Sequence, residues 1–441
     1  MLKSIISKKE LTLNLTRKYL YYSIAFFLLS LHFACGSSKF RRLEKAMQNE
    51  FKADDSRHHH MGFMLYDPVS EDTLIREAAD RYFVPASNVK IFTLYTALKL
   101  IPEKIPALKY SVVGDTLYFE GQADPAALHP YFKDSTALEF LSKFEFLSYH
   151  PNNMTATAFA PGWAWEDYDQ SFAAARSSFP LYGNVVSIYP DPNPGVIPAY
   201  FKDSIAISDM TFRREESRNY FYVWPALSDS LEIPIRTNPD LTARLLHHSL
   251  AKNVALTNQM PEVDKEILYG ILRDSIIKRM MVESDNFLAE QLLLAASAAL
   301  SDTLKTKIAI DHMLEKEVAD INPPPKWVDG SGLSRYNLFT PGAMVNVLNR
   351  LYLEFGDPYI IHFFPQGGVS GTLKEHFRGN PDPFVFAKSG SLGNIYCLSG
   401  YLKTGSGRLL IFSFMNNHFT IKSEELKMRM ASMFEFIRDN Y

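Results

Sequence analysis

Apolar positions follow three regimes along this chain. Leu20 to Phe33 is an almost continuous apolar run, broken only by Ser23, Ser30 and His32. Beyond it, Met61 to Tyr66 and Thr73 to Arg76 read as two strands around the Asp67-Pro68 turn. Val89 to Leu100 carries the dense apolar content of a buried helix, closed by Pro102 and Pro106. From about 103 to 235 short alternating runs, such as Thr116-Leu117-Tyr118-Phe119, are set among many Pro, Asp, Tyr and Phe residues. Asp191-Pro192-Asn193-Pro194-Gly195 is a loop cluster within that segment. Helical spacing resumes at Asp240 to Lys252, Lys265 to Met281, Asp285 to Ala296, Leu304 to Val318 and Pro341 to Leu353. The end is strand-rich, at Phe384 to Lys388, Ile395 to Leu402 and Leu409 to Met415, before an amphipathic helix over Ser423 to Asp439. The pattern predicts a mainly-β insert over 103–235, set into a larger α+β body formed by 36–102 and 236–441.

Composition adds bounds rather than elements. At 441 residues the chain has room for two or three domains, and 46% hydrophobic with 22% charged residues is ordinary for a protein with a sizeable core. The net charge of −3 and the lack of a strongly basic block argue against a nucleic-acid partner. Lys3, Lys8, Lys9, Arg17 and Lys18 precede the apolar run, which is short for a membrane span and ends at Ala34-Cys35-Gly36. Residues 1–35 therefore read as an export signal of lipoprotein type, with Cys35 as the lipidated residue and a lipid anchor as the link to a membrane. A plain cleaved signal and an uncleaved anchor are the alternatives. Cys397 is the one cysteine beyond that point, so no internal disulfide is expected. It falls in an apolar strand pattern, as a buried thiol would.

Three short strings carry candidate chemistry: Ser87-Asn88-Val89-Lys90, Ser284-Asp285-Asn286 and Lys388-Ser389-Gly390. In this order, S-x-x-K, S-D-N and K-[ST]-G describe a serine acyl-transfer site. A serine hydroxyl needs an adjacent base, and residues three apart share a helix face, so Lys90 can stand beside Ser87. Lys90 must be neutral to accept the proton, and burial together with Lys388 as a second cation would lower its pKa. Ser284 can relay a proton to a leaving amine, and Asn286 can hold a substrate amide. Lys388 and Ser389 suit a substrate carboxylate, and Gly390 lets a backbone approach closely. The backbone N–H groups of Ser87 and Ser391 form the expected oxyanion hole. Decoys exist at Ser275-Ile276-Ile277-Lys278, inside a helix, and at Ser217-Arg218-Asn219. The literal K-T-G at Lys403-Thr404-Gly405 lies between two apolar runs and reads as a hairpin turn. No metal or other cofactor is expected, since His58-His59-His60 cannot all face one ion from a strand. Trp163 and Trp165 are expected in a packed hydrophobic cluster of the insert, with the wall of a sugar groove as the alternative.

The surroundings of these strings resemble the low-molecular-mass class C penicillin-binding proteins, the D-alanyl-D-alanine carboxypeptidase/endopeptidases of the penicillin-binding protein 4 type. The matching stretches include Val84-Pro85-Ala86-Ser87-Asn88-Val89-Lys90, Glu283-Ser284-Asp285-Asn286, Asp329-Gly330-Ser331-Gly332-Leu333-Ser334-Arg335 and Lys388-Ser389-Gly390-Ser391-Leu392. Gly368-Val369-Ser370-Gly371-Thr372-Leu373, Gly121-Gln122-Ala123-Asp124-Pro125 and Ala160-Pro161-Gly162-Trp163-Ala164-Trp165 also fit. The resemblance implies a penicillin-binding/β-lactamase-like transpeptidase fold, an antiparallel sheet with helices on both faces plus a helical subdomain, carrying an inserted mainly-β domain. It implies a periplasmic serine DD-peptidase acting on peptidoglycan stem peptides, with β-lactams as covalent inhibitors and Arg335 near the substrate. The separation of 194 positions from Lys90 to Ser284 fits an inserted domain better than a compact β-lactamase. The alternatives are a non-catalytic muropeptide- or β-lactam-binding protein, and a serine esterase or β-lactamase on the same scaffold. The chain departs from the family at Tyr149-His150-Pro151-Asn152-Asn153-Met154, which has no acid to bind a diaminopimelate side chain.

Overall fold

The computed structural model describes residues 59–190, 195–225 and 227–441. The expected signal and Cys35 lie outside the described residues. Among those described, no helix is long and apolar enough to cross a membrane.

The centre is a five-stranded antiparallel sheet, in the order Val385–Leu392, Ile395–Lys403, Leu409–Asn417, His60–Asp67 and Asp72–Glu77. The strands nearest the C-terminus thus pair with those that open the described chain. Alternation decides which side chain faces which layer. In Ile395–Lys403, the side chains of Ile395, Cys397 and Tyr401 join one core, and those of Tyr396, Leu398 and Leu402 join the other. The first core packs against helices Lys90–Leu100, Arg273–Val282, Asn286–Leu300 and Pro341–Phe355. The second packs against helix Ser423–Asn440, whose Leu426, Met430, Met433, Phe434 and Ile437 recur at helical spacing. Helices therefore cover both faces, and the fold is α+β as expected. Cys397 is buried, and burial pushes its thiol up to about 12.

A second body grows out of the chain after helix Lys90–Leu100. Its sheet runs Val254–Leu256, Phe146–Tyr149, Thr116–Gly121, Lys104–Val113 and Glu266–Leu272. Smaller sheets hold Val185–Tyr189 with Gly195–Ile197 and Leu231–Pro234, and Ile205–Ile207 with Phe221–Val223. This layer passes the boundary expected at 235. Helix Pro239–Leu250 buries Leu241, Leu245 and Leu246 in its core. Glu266–Leu272, expected to be helical within Lys265 to Met281, pairs antiparallel with Lys104–Val113. A run such as Ile267-Leu268-Tyr269-Gly270-Ile271-Leu272 suits either state locally, and the partner strand decides it. The helix starts only at Arg273.

Candidate active site

Ser87 sits in a single 3-10 turn, Ala86–Val89, which runs directly into helix Lys90–Leu100. Ala86 before it has a φ of 47°, and Ser284 of the second string a φ of 60°. Non-glycine residues in the left-handed region carry backbone strain, and here two of them flank the same cleft.

Lys90 is fully buried and donates to Ser87 Oγ at 2.9 Å, Asn286 Oδ1 at 2.6 Å and the Ser331 carbonyl at 2.7 Å. Two of these partners, the amide oxygen and the carbonyl, can only accept. A neutral lysine has two N–H bonds and one lone pair. Once both N–H bonds are committed to Asn286 and Ser331, the lone pair faces the Ser87 hydroxyl. Burial lowers the Lys90 pKa to about 8, against the opposing pull of Asp329, Asp285 and Glu290. The protein thus stops short of neutralising its candidate base at pH 7.

Lys388 is also fully buried, donating to its own neighbour's carbonyl, Ser389 O, at 2.7 Å. Burial and then the Lys90 charge hold it well below the ordinary lysine range. Ser389 Oγ donates to Thr372 Oγ1 at 2.7 Å, which brings the G-V-S-G-T-L string to the edge strand. The strand lies hard against the serine turn. A Cβ on Gly390 would stand 2.6 Å from the Pro85 carbonyl and 2.8 Å from the Ser87 nitrogen. A side chain there would push the strand away from Ser87. Ser391 follows on the exposed part of this strand, next to the hairpin.

The Asp329-Gly330-Ser331-Gly332 stretch is a fourth wall. The Asp329 carboxylate accepts from the Gly332, Ser334 and Asn337 nitrogens at 2.7–2.9 Å, and from Trp163 Nε1 at 2.8 Å. Gly332 has a φ of +88° and its absent Cβ would stand 1.9 Å from the Ala86 carbonyl. The loop therefore presses on the turn that carries Ser87.

The expected site residues do not all meet in the same way. Ser87, Lys90 and Asn286 are joined by hydrogen bonds, and Gly390 reaches them by close approach. Asn286 Oδ1 accepts from Lys90, and its Nδ2 donates to the Phe172 carbonyl at 3.0 Å. Ser284 lies on the strained link between two helices, half-buried, two residues from Asn286. Arg335 is exposed and stands about 4.0 Å from where a Gly393 Cβ would be, at the hairpin beyond Ser391. Trp163 and Trp165 line one cavity of about 260 Å³ with Phe159, Tyr168 and Leu333; Trp163 also donates to Asp329, and Trp165 is 73% exposed. The expected packed cluster is thus a cavity wall instead. The decoy Lys403-Thr404-Gly405 enters the turn before Leu409–Asn417, closed by Thr404 N–H to Arg408 O at 2.8 Å. Glu290 and Arg176, which no string marked, lie buried beside the site.

A model of the D-Ala-D-Ala carboxypeptidase 3 (S13) family matches residues 273–440, the stretch from the helix before Ser284 to the last helix. The matched stretch is similar to that family and is less than half of the chain. The S13 match spans the second and third strings and the Asp329 loop, and it agrees with the penicillin-binding protein 4 resemblance. D-alanyl-D-alanine carboxypeptidase DacB of Haemophilus influenzae is 30% identical over 174 residues, covering 38% of this chain and 36% of that protein. Penicillin-sensitive carboxypeptidase A of Dictyostelium discoideum is 40% identical over 78 residues, covering 17% of this chain and 15% of its own length. The matched stretches thus span little more than a third of these relatives at most. The fold extends further than the sequence similarity. The crystal structure of penicillin-binding protein 4 from Haemophilus influenzae superposes with a TM-score of 0.69 at 18% identity, covering 86% of this chain and 96% of that one. A predatory peptidoglycan endopeptidase of Bdellovibrio bacteriovorus does so at 0.50 and 13% identity, covering 86% and 92%.

Proposed function

We propose that this chain is a serine DD-peptidase that hydrolyses D-Ala-D-Ala termini or D-Ala cross-links in peptidoglycan through a Ser87 acyl-enzyme. The observation that carries the reading is the Lys90 lone pair, left facing Ser87 by the bonds to Asn286 and Ser331. Neutral Lys90 takes the Ser87 proton as Oγ attacks the carbonyl carbon between two D-alanines. The carbonyl π pair moves to oxygen, which the Ser87 and Ser391 N–H groups stabilise. As the tetrahedral species collapses, the C–N bond breaks and the leaving amine takes a proton from Lys90, relayed by Ser284. Water then attacks the ester carbonyl and gives a proton to Lys90; the C–O bond to Ser87 Oγ breaks, Oγ takes that proton back, and the shortened peptide leaves with a new carboxyl group. In this scheme Ser389, paired with Thr372, receives the substrate carboxylate, with Lys388 supplying positive potential behind it. Arg335 stands at the cleft rim, where a longer stem peptide would pass. The segment from about 103 acts as a substrate-shaping insert. Export by residues 1–35 and anchoring through Cys35 would place the enzyme at its cell-wall substrate.

Incubation with a D-Ala-D-Ala peptide should release D-alanine, and benzylpenicillin should add one acyl group at Ser87 by mass spectrometry. Ser87→Ala should abolish both. Penicillin acylation with neither D-alanine release nor cleavage of cross-linked muropeptides would mark a binding protein that lacks turnover. D-alanine release that survives Ser87→Ala would sink the proposal.

A further inference from the structure

Two charged side chains outside every string stand directly behind the lysine. Glu290 lies on helix Asn286–Leu300, and Arg176 comes from the insert. Their side chains are 0% and 3% exposed, and Arg176 Nη1 donates to Glu290 Oε2 at 3.2 Å. An apolar pair of similar volume is often as stable as a buried ion pair, so its place asks what it holds. It holds the backbone on which Lys90 rests. The Ser331 N–H donates to Glu290 Oε1 at 2.8 Å, and the carbonyl of the same peptide unit, Gly330 O, accepts from Thr93 Oγ1 at 2.7 Å. In the next unit, Ser331 O accepts from Lys90 Nζ at 2.7 Å, and the Gly332 N–H donates to Asp329 Oδ1 at 2.9 Å. Both peptide units are thus pinned at both ends, and Glu290 is one of the four pins.

We propose that Glu290, clamped by Arg176, is a positioning residue for Lys90: it fixes the Ser331 backbone whose carbonyl, with Asn286, turns the Lys90 lone pair towards Ser87. The inference rests on the serine-peptidase reading above and deepens it. The groups whose charges act on Lys90 are Asp329 from its loop, Asp285 and Glu290 from the asparagine helix, and Lys388 from the edge strand. Glu290 in turn faces Arg176 and Asp329. Its negative charge favours protonated Lys90, and its oxygen orders the carbonyl that Lys90 needs when neutral.

Benzylpenicillin acylation rate against pH separates these two effects, with folding checked by circular dichroism. Glu290→Gln keeps an oxygen for the Ser331 N–H and removes the charge, so the acid limb should move to lower pH. Glu290→Leu removes the oxygen as well, and the plateau rate should fall about 100-fold, as for a misplaced catalytic group. Arg176→Ala should fall in the same direction. Added guanidinium should restore it, entering the cavity of about 410 Å³ that Arg176 lines with Thr157, Lys305 and Thr306. A folded Glu290→Leu with the parental plateau and acid limb would overturn the inference. Where that variant does not fold, an unmoved limb in Glu290→Gln with no guanidinium rescue of Arg176→Ala overturns it equally. Parental protein that takes no acyl group would instead sink the peptidase reading itself.

Discussion

At the scale of single residues, the site is governed by two buried lysines that share little solvent. Lys90 has its pKa lowered to about 8, chiefly by burial. At pH 7 about a tenth of the molecules then hold it neutral. Acylation of Ser87 should rise with pH through about 8 and level off above it, which stopped-flow acylation rates would show. A rate that is flat from pH 6 to 9 would remove Lys90 from the role of base. The same shift acts on stability with a definite sign. Between about pH 8 and the ordinary lysine value of 10.5, the unfolded chain still binds a proton that the folded chain has shed. The Lys90 contribution to stability therefore rises with pH across that window. Lys388 acts in the same direction, since burial and the neighbouring Lys90 also lower its pKa. Lys90 keeps three hydrogen-bond partners for its buried amine, and Lys388 keeps the Ser389 carbonyl.

Among elements, the decisive contacts are those between backbones. The serine turn, the Asp329 loop and the edge strand Val385–Leu392 meet only because glycine stands at two of the contacts. Gly332→Ala should be the more damaging change, since its Cβ would stand 1.9 Å from the Ala86 carbonyl at a φ of +88°. Gly407, in the hairpin beyond the decoy string, has nearly the same φ, +87°, and nothing within 4 Å of its Cβ position. Gly407→Ala therefore isolates the backbone strain, at about 1 kcal/mol in a denaturation midpoint, with acylation unchanged. Gly332→Ala adds the clash, and should cost about 3 kcal/mol or more and most of the acylation rate. Equal losses in the two variants would show that the loop does not position Ser87. Gly332 and Gly390 both stand in recognisable strings, but the contact of each is visible only between elements far apart in the chain.

For the whole molecule, the segment after 103 and the body around the central sheet are stitched together at the candidate site. Trp163 donates to Asp329, Asn286 donates to the Phe172 carbonyl, Ser334 Oγ donates to the Pro161 carbonyl at 2.7 Å, and Gln291 accepts from the Ser177 nitrogen at 3.1 Å. Each bond joins the segment after 103 to the part that bears the second string or the Asp329 loop. Trp163→Phe keeps the ring and deletes one such bond. Asp329 retains its backbone donors, so stability should drop by only about 1 kcal/mol in a thermal melt. The acylation rate should fall by more than that loss of folded protein explains, and an unchanged rate would show that the insert does not support the site. By itself, the sequence determined the strands and helices with strong local periodicity, the α+β class, and the three strings with their order. Those features depend on residues near one another in the chain. The decoy Lys403-Thr404-Gly405 was separable for the same reason, since a turn is a local matter. Only the tertiary structure decided that Glu266–Leu272 is a strand, that the insert's layer continues to Leu272, and that Trp165 lines a cavity. It alone paired Arg176 with Glu290 and turned Asn286 towards Lys90. Those outcomes depend on a partner strand, a facing loop or a buried charge over a hundred positions away, which no window of sequence contains.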